Sequence, residues 1–153
     1  MPTHYRGNDE QVQALDSFIK VMRVSSSLLI STTRELRKVN LTNSQFGVLE
    51  ALLHLGPMHQ NILCRKMLVS GGNMTVVIDN LEKRALIKRE TDAEDRRCIM
   101  VHLTDAGRKL ITEYFPHHAE VIEQLMSRLN PKEHQQLGRL LRKLGRSIEP
   151  ELV

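Results

Sequence analysis

From Leu15 the apolar residues fall at Leu15, Phe18, Ile19, Met22, Leu29 and Leu36, a spacing that lines one face of a long helix. Thr42-Asn43-Ser44-Gln45 follows as a capping box, with the Thr hydroxyl and the Gln amide satisfying orphan amides at a helix start. The helix it opens carries Phe46, Leu49, Leu52 and Leu53, and Gly56-Pro57 should stop it. A short third helix fits Gln60 to Leu68, with Ile62, Leu63, Met67 and Leu68 apolar. Ser70 suits the N-cap of a fourth helix reaching about Ala85, whose core stripe is Met74, Val77, Ile78 and Leu81.

The period then changes. Leu86 to Glu90 and Cys98 to Leu103 read as strands, and Thr91 to Arg97 between them is polar apart from Ala93, as a hairpin tip would be. Thr104-Asp105 caps a further helix with Leu110 and Ile111 on its apolar face, and Pro116 is expected to kink or break it. Apolar spacing resumes at Val121, Ile122, Leu125, Met126 and Leu129. Asn130-Pro131-Lys132-Glu133 then starts a last helix bearing Leu137, Leu140, Leu141, Leu144 and Ile148. The expected fold is mainly α with a small β-wing. Three short helices followed by a two-stranded hairpin describe a winged helix-turn-helix, whose last helix enters the major groove while the hairpin reaches the backbone or the minor groove. The expected division is a helical dimerisation region over 1–40, a DNA-binding lobe over 41–104 and C-terminal dimerisation helices over 105–153.

Composition narrows the classes without choosing a function. The chain has 153 residues, 41% hydrophobic and 26% charged, with a net charge of +4, which argues for a folded globular chain and against disorder. No apolar run approaches the ~18 residues of a membrane span. Met1 to Arg6 is polar and unlike a secretion signal, and two cysteines make no disulfide framework, so a cytoplasmic protein without a membrane partner is expected. Only 3% of residues are aromatic, which disfavours a single-strand binder built on stacking platforms. Charge is uneven: residues 58–110 carry ten Lys/Arg against seven Asp/Glu, whereas 1–57 carry six against five and 111–153 six against six. The basic excess coincides with the expected winged module, although +3 alone fits a solvated surface equally well.

The stretch Leu41 to Leu110 resembles the MarR family of bacterial transcriptional regulators, above all in Ser70-Gly71-Gly72-Asn73-Met74-Thr75-Val76-Val77-Ile78-Asp79-Asn80-Leu81-Glu82, in Asp92-Ala93-Glu94-Asp95-Arg96-Arg97 and in Leu103-Thr104-Asp105-Ala106-Gly107. The resemblance extends over the whole length, sharply in the wing and weakly in the terminal helices. It implies an intertwined homodimer that binds pseudo-palindromic double-stranded DNA and represses genes until a phenolic small-molecule inducer or an oxidant releases it. It also implies roles for the wing: Arg97 in the minor groove, Asp95 orienting its guanidinium, and Arg96 on phosphate. Arginine suits a narrow A·T groove because negative potential concentrates there. The competing reading of this segment is a charged turn that only keeps the hairpin soluble.

On the recognition helix, Thr75, Val76, Asp79, Asn80 and Lys83 project away from the core stripe. Asn73 and Thr75 can exchange hydrogen bonds with base edges, and the methyls of Thr75 and Val76 can meet a thymine methyl. Ser70, Gly71 and Gly72 lie at the helix N-terminus, which favours a phosphate, although they also suit a flexible cap. Many members of the family that the chain resembles carry an Arg where Val76 stands, so a common guanine contact is missing. Arg65, Lys66, Lys88 and Arg89 are further phosphate candidates, each equally suited to plain surface.

Signals to be sensed are less legible. The resemblance implies a reactive Cys near the first helix in oxidant-sensing members, and this chain has none there. Cys64 reads as a buried inert thiol; Cys98, beside Arg97, is the redox candidate because a neighbouring cation lowers a thiol pKa. No metal motif occurs: His117 and His118 are adjacent and diverge on a helix, and His54 and His59 flank Gly56-Pro57 without acidic support. No metal or other cofactor is expected. A ligand site is expected where the DNA-binding lobe meets the helical region, lined by Met22, Phe46, His54, Met58 and Phe115, each also a plausible core residue. No nucleophile–base constellation or phosphate loop suggests an enzyme. The alternatives to a specific repressor are a low-specificity architectural DNA-binding protein and a helical adaptor.

Overall fold

The computed structural model describes residues 3–67, 71–92 and 98–148. The order is α1 (Asp9–Leu36), a short 3-10 turn (Arg37–Val39), α2 (Asn43–Leu55), β1 (Met58–His59), α3 (Gln60–Met67), α4 (Gly71–Lys83), β2 (Ile87–Thr91), β3 (Ile99–Leu103), α5 (Asp105–Met126) and α6 (Pro131–Ile148). This is the mainly α winged helix-turn-helix that the periodicity predicts.

Local signals set most of the boundaries. Thr42 accepts the Gln45 amide at 3.1 Å while Gln45 Oε1 accepts the Thr42 amide at 3.0 Å, the reciprocal capping box expected at the start of α2. Gly56 ends that helix at φ 81°, a conformation that glycine adopts without strain. Asn130 and Glu133 cap α6 in the same reciprocal way. The first helix begins earlier than the apolar stripe suggests: Asn8 and Gln11 form a third capping box, and Asp9 and Glu10 complement the helix dipole in the first turn.

Three expectations need correction. The sheet has three strands in the order β1-β3-β2, all antiparallel, with Met58 opposite Val101 and Ile87 opposite Leu103. A two-residue strand is too short to show alternation, so β1 leaves no trace in the hydrophobic pattern. Second, of the kink or break expected at Pro116, the break does not occur: α5 is continuous from Asp105 to Met126. Proline deletes a single ladder bond, and Tyr114 and Phe115 on that turn pack against Phe46 of α2, which holds the helix across the gap. Third, α4 stops at Lys83, because Ala85 turns left-handed at φ 52°. Its amide bonds Glu82 O at 2.8 Å and the Leu86 amide bonds Leu81 O at 3.0 Å, which closes the helix into β2.

The buried apolar residues form one cluster that runs from Leu36 to Tyr114 and includes Leu49, Leu52, Leu63, Met74, Ile78, Leu81, Ile87, Val101 and Ile111. Thus α1 and α5 each send a few side chains into the winged lobe, while α6 buries none within its own chain. Nine-tenths buried, Glu35 on α1 takes a hydrogen bond from Lys38 at 2.5 Å and lies 3.3 Å from His117 Nε2, joining α1 to α5. These contacts, Lys38 foremost and then His117, hold its carboxyl below the ordinary glutamate range.

The junction of wing and α5 is tight. The Thr104 amide donates to Leu86 O at 3.1 Å and the Thr104 hydroxyl to Ala85 O at 2.6 Å. A Cβ at Gly107 would stand 1.8 Å from Leu86 O, a backbone atom that cannot move aside. Gly107→Ala should therefore destabilise the chain by about 3 kcal/mol. The measurement is the urea midpoint, and an unchanged midpoint would show that the junction is slack.

Candidate nucleic-acid interface

The rotation of α4 about its own axis determines what the helix offers to solvent. Met74, Ile78 and Leu81 are fully buried, so the opposite face must point outward. Gly71, Gly72, Asn73, Thr75, Val76, Asn80 and Lys83 are all exposed, and Val76 is 60% exposed, an apolar side chain with no place in the core. Asp79 is only half exposed and is already engaged.

Several of these groups have partners inside the chain. The Thr75 hydroxyl donates to Gly71 O at 3.0 Å and accepts from Gln60 Nε2 at 3.1 Å. Its proton is thus committed to its own helix, leaving the methyl and a lone pair for a ligand. Arg89, a phosphate candidate on sequence, is held elsewhere. Its guanidinium bonds Asp79 Oδ1 at 2.7 Å and Glu82 Oε2 at 2.5 Å, and its amide bonds Glu82 Oε1 at 3.0 Å. It braces α4 against β2, and the bond from Arg89 pulls the Glu82 carboxyl below its ordinary range. Lys88 pairs with Glu90 at 2.6 Å. Arg65 and Lys66, exposed on α3, have no ion pair among the described residues, and neither has the exposed Lys83.

Ser70, Asp95, Arg96 and Arg97 lie outside the described residues. The root of the wing is described: the Asp92 amide donates to Cys98 O at 3.0 Å, and Asp92 Oδ2 lies 2.7 Å from His59 Nε2. His59, expected to lack acidic support, thus has an acidic partner in Asp92, a pairing 33 residues apart that local spacing does not show. Cys64 is half-buried, not buried as expected, and so is Cys98; both line a cavity of about 390 Å³ with His59, Gln60 and Thr75.

Of the five residues grouped as a ligand site, three are in direct ring contact. Phe46, His54 and Phe115 come together between α2 and α5, with Phe46 and Phe115 stacked at 6.4 Å and the His54 and Phe115 rings 4.9 Å apart. Tyr114 and His118 complete this cluster, at 6.0 and 4.3 Å from the Phe46 ring. Met58, on the edge strand β1, belongs to the same buried core as Phe46 and Tyr114, and Met22 is half exposed on α1. The Tyr114 hydroxyl is buried with no hydrogen-bond partner among the described residues. Burial, and then the charge of Glu35, raise its pKa. Among the described residues no three His, Cys, Asp or Glu side chains converge to hold a metal ion, and no helix is long and apolar enough to cross a membrane.

Comparison with known proteins agrees with this geometry. A family model described as the MarR family matches residues 41–99. An uncharacterized HTH-type transcriptional regulator of Bacillus subtilis, YkoM, is 34% identical over 139 residues, covering 90% of each chain. Among solved structures, a MepR–DNA complex from S. aureus is similar at a TM-score of 0.75 and 28% identity, over 86% of this chain and 96% of that one. BpsR of Bordetella bronchiseptica, whose DNA binding is regulated by 6-hydroxynicotinic acid, is similar at a TM-score of 0.77 and 27% identity, over 84% and 98%.

The aromatic cluster makes stability depend on pH. Burial lowers the pKa of His118, against an opposing pull from Glu50, so the unfolded chain takes up the proton first. The neutral ring's contribution is present above the unfolded value of 6.5 and is lost as pH falls through the lower folded value. Urea midpoints should drop between pH 7.5 and pH 5.5 by more in the wild type than in His118→Phe. Equal drops would remove His118 from the pH response.

Proposed function

The chain belongs to the MarR family of transcriptional regulators, and from that membership we propose that it is a sequence-specific homodimeric repressor, released from DNA by a small phenolic-type ligand or an oxidant. The observation that carries the reading is the division of α4 into a fully buried stripe and an outward face of Gly72, Asn73, Val76 and Asn80. A rigidly held helix with small and amide side chains outward is suited to the major groove, where Asn73 reads a base edge and Val76 meets a thymine methyl. Arg97 enters the minor groove, oriented by Asp95, while Arg96, Ser70, Gly71 and Lys83 hold phosphate. The protein works in the cytoplasm, where its DNA is.

Dimerisation follows from what the single chain leaves uncovered. Leu140, Leu141, Leu144 and Ile148 on α6 are 45–69% exposed, and Phe18, Met22 and Leu29 on α1 are 49–61% exposed. Stripes of this size on residues 1–40 and 105–153 are supported by a partner copy, which places two lobes of residues 41–104 on two half-sites. The ligand reading is supported by the cluster of Phe46, His54, Tyr114 and Phe115 with its unpartnered hydroxyl, and by the control of BpsR through an aromatic acid. Cys98 is the thiol assigned to an oxidant.

Selection of bound duplexes from a random pool at near-physiological salt tests the function. A pseudo-palindrome with half-sites about one helical turn apart is expected, bound about a thousandfold more tightly than random duplex. Retention without enrichment would instead indicate an architectural protein. Arg97→Ala should cost affinity mostly at A·T-rich flanks, and equal loss on all sequences would contradict minor-groove readout. Tyr114→Phe tests the ligand reading. Removing an unpaired buried hydroxyl should raise stability by about 1 kcal/mol. Release of DNA by an aromatic acid such as salicylate should weaken in the same variant, and unaltered release would exclude the hydroxyl from ligand recognition.

A further inference from the structure

Three consecutive residues connect the two elements assigned to DNA. Met58 is buried on β1, paired with Val101 of the neighbouring β3. The next residue, His59, reaches the wing root: its Nε2 lies 2.7 Å from Asp92 Oδ2, immediately after β2 ends, and Asp92 side-chain exposure is only 16%. Gln60, the first residue of α3, reaches the recognition helix instead, donating from Nε2 to Thr75 Oγ1 at 3.1 Å. Since β1 passes directly into α3, no flexible residue separates the two contacts. The same Asp92 closes the hairpin through its amide to Cys98 O at 3.0 Å. Movement of His59 therefore carries both strands of the wing with it.

We propose that His59 and Gln60 form a joint that sets the distance between the recognition helix and the wing, and so fixes how many base pairs separate the half-site read in the major groove from the A·T flank read in the minor groove. The proposal rests on the reading of α4 and the wing as the two DNA-contacting elements. Both are positioning residues and need not touch DNA. His59 acts through Asp92 on the placement of the wing; Gln60 acts through Thr75, whose methyl and free lone pair it holds in one orientation. A buried strand residue on one side and a continuous helix on the other keep the joint stiff. A stiff joint turns an approximate spacing into a specific one, because a mismatched flank cannot be reached without breaking a bond at its root.

The test is selection from random duplexes with the full-length wild type, His59→Ala, His59→Gln and Gln60→Ala, each scored for preference within the half-site, preference in the flank and the spacing between them. His59→Ala should lose flank preference by about tenfold, the order expected for a bond to a charged group. Its half-site preference should be kept. Glutamine can still donate to Asp92, so His59→Gln should restore much of the flank preference. Gln60→Ala should relax preference at one base pair within each half-site by about fivefold, with the flank unchanged. A residue with only a structural role would lower both preferences together, in step with the urea midpoint. Such parallel loss, or a glutamine variant no better than alanine, would overturn the joint while leaving the repressor reading intact. A wild type that enriches no sequence would overturn both.

Discussion

Everything assigned to the DNA face depends on the burial of one helical stripe. Met74, Ile78 and Leu81 leave no solvent contact, and with each of them worth about 2 kcal/mol in the core, α4 has one rotational setting and no near competitor. That setting decides which residues point outward, because side chains on a helix cannot turn independently of its axis. The small residues at the start of α4 and the exposed Val76 follow from it. So does the half-covered position of Asp79, which puts its carboxylate beside Arg89.

Around this helix the chain adds polar ties, each of which joins two elements. Arg89 links α4 to β2 through two carboxylates, and Thr104 links β3 and the start of α5 to the turn at Ala85 and Leu86. His59 links β1 to the wing root, and Glu35 links α1 to α5. Some of the ten basic residues of 58–110 are engaged in ion pairs. Arg89 and Lys88 answer acidic neighbours, and Arg84 donates to Asn40 O at 2.6 Å. The net excess is unchanged, because these acids are already counted in it, but it is carried by fewer unpaired side chains.

Elements whose causes are local were legible in the sequence. The capping boxes at Thr42 and Asn130 involve residues three apart, and the stripe of α4 repeats with the helical period, so both can be read without knowing the fold. What escaped reading was tertiary. Two-residue β1 exists only because β3 lies beside it, and α5 survives Pro116 because Phe46 backs the turn. Arg89 resembles any surface cation until Asp79 and Glu82 are placed against it. The outward residues of α4 were identifiable because burial and exposure alternate with a known period. Met58 shares the buried core with Phe46 and Tyr114, whereas hydrophobicity alone did not show that Met22 stands on an exposed face of α1.

The absence of burial along α6 has a consequence for how this protein responds to dilution. An isolated 18-residue helix is marginal in water, and α6 gains nothing from its own chain's core. Its backbone amides are therefore protected against solvent exchange only to the extent that something covers Leu140, Leu141 and Leu144. The lobe around Leu49 and Ile78 carries its protection within one chain. If a second copy supplies that cover, as proposed above, two populations of amides would result, one insensitive to protein concentration and one governed by it.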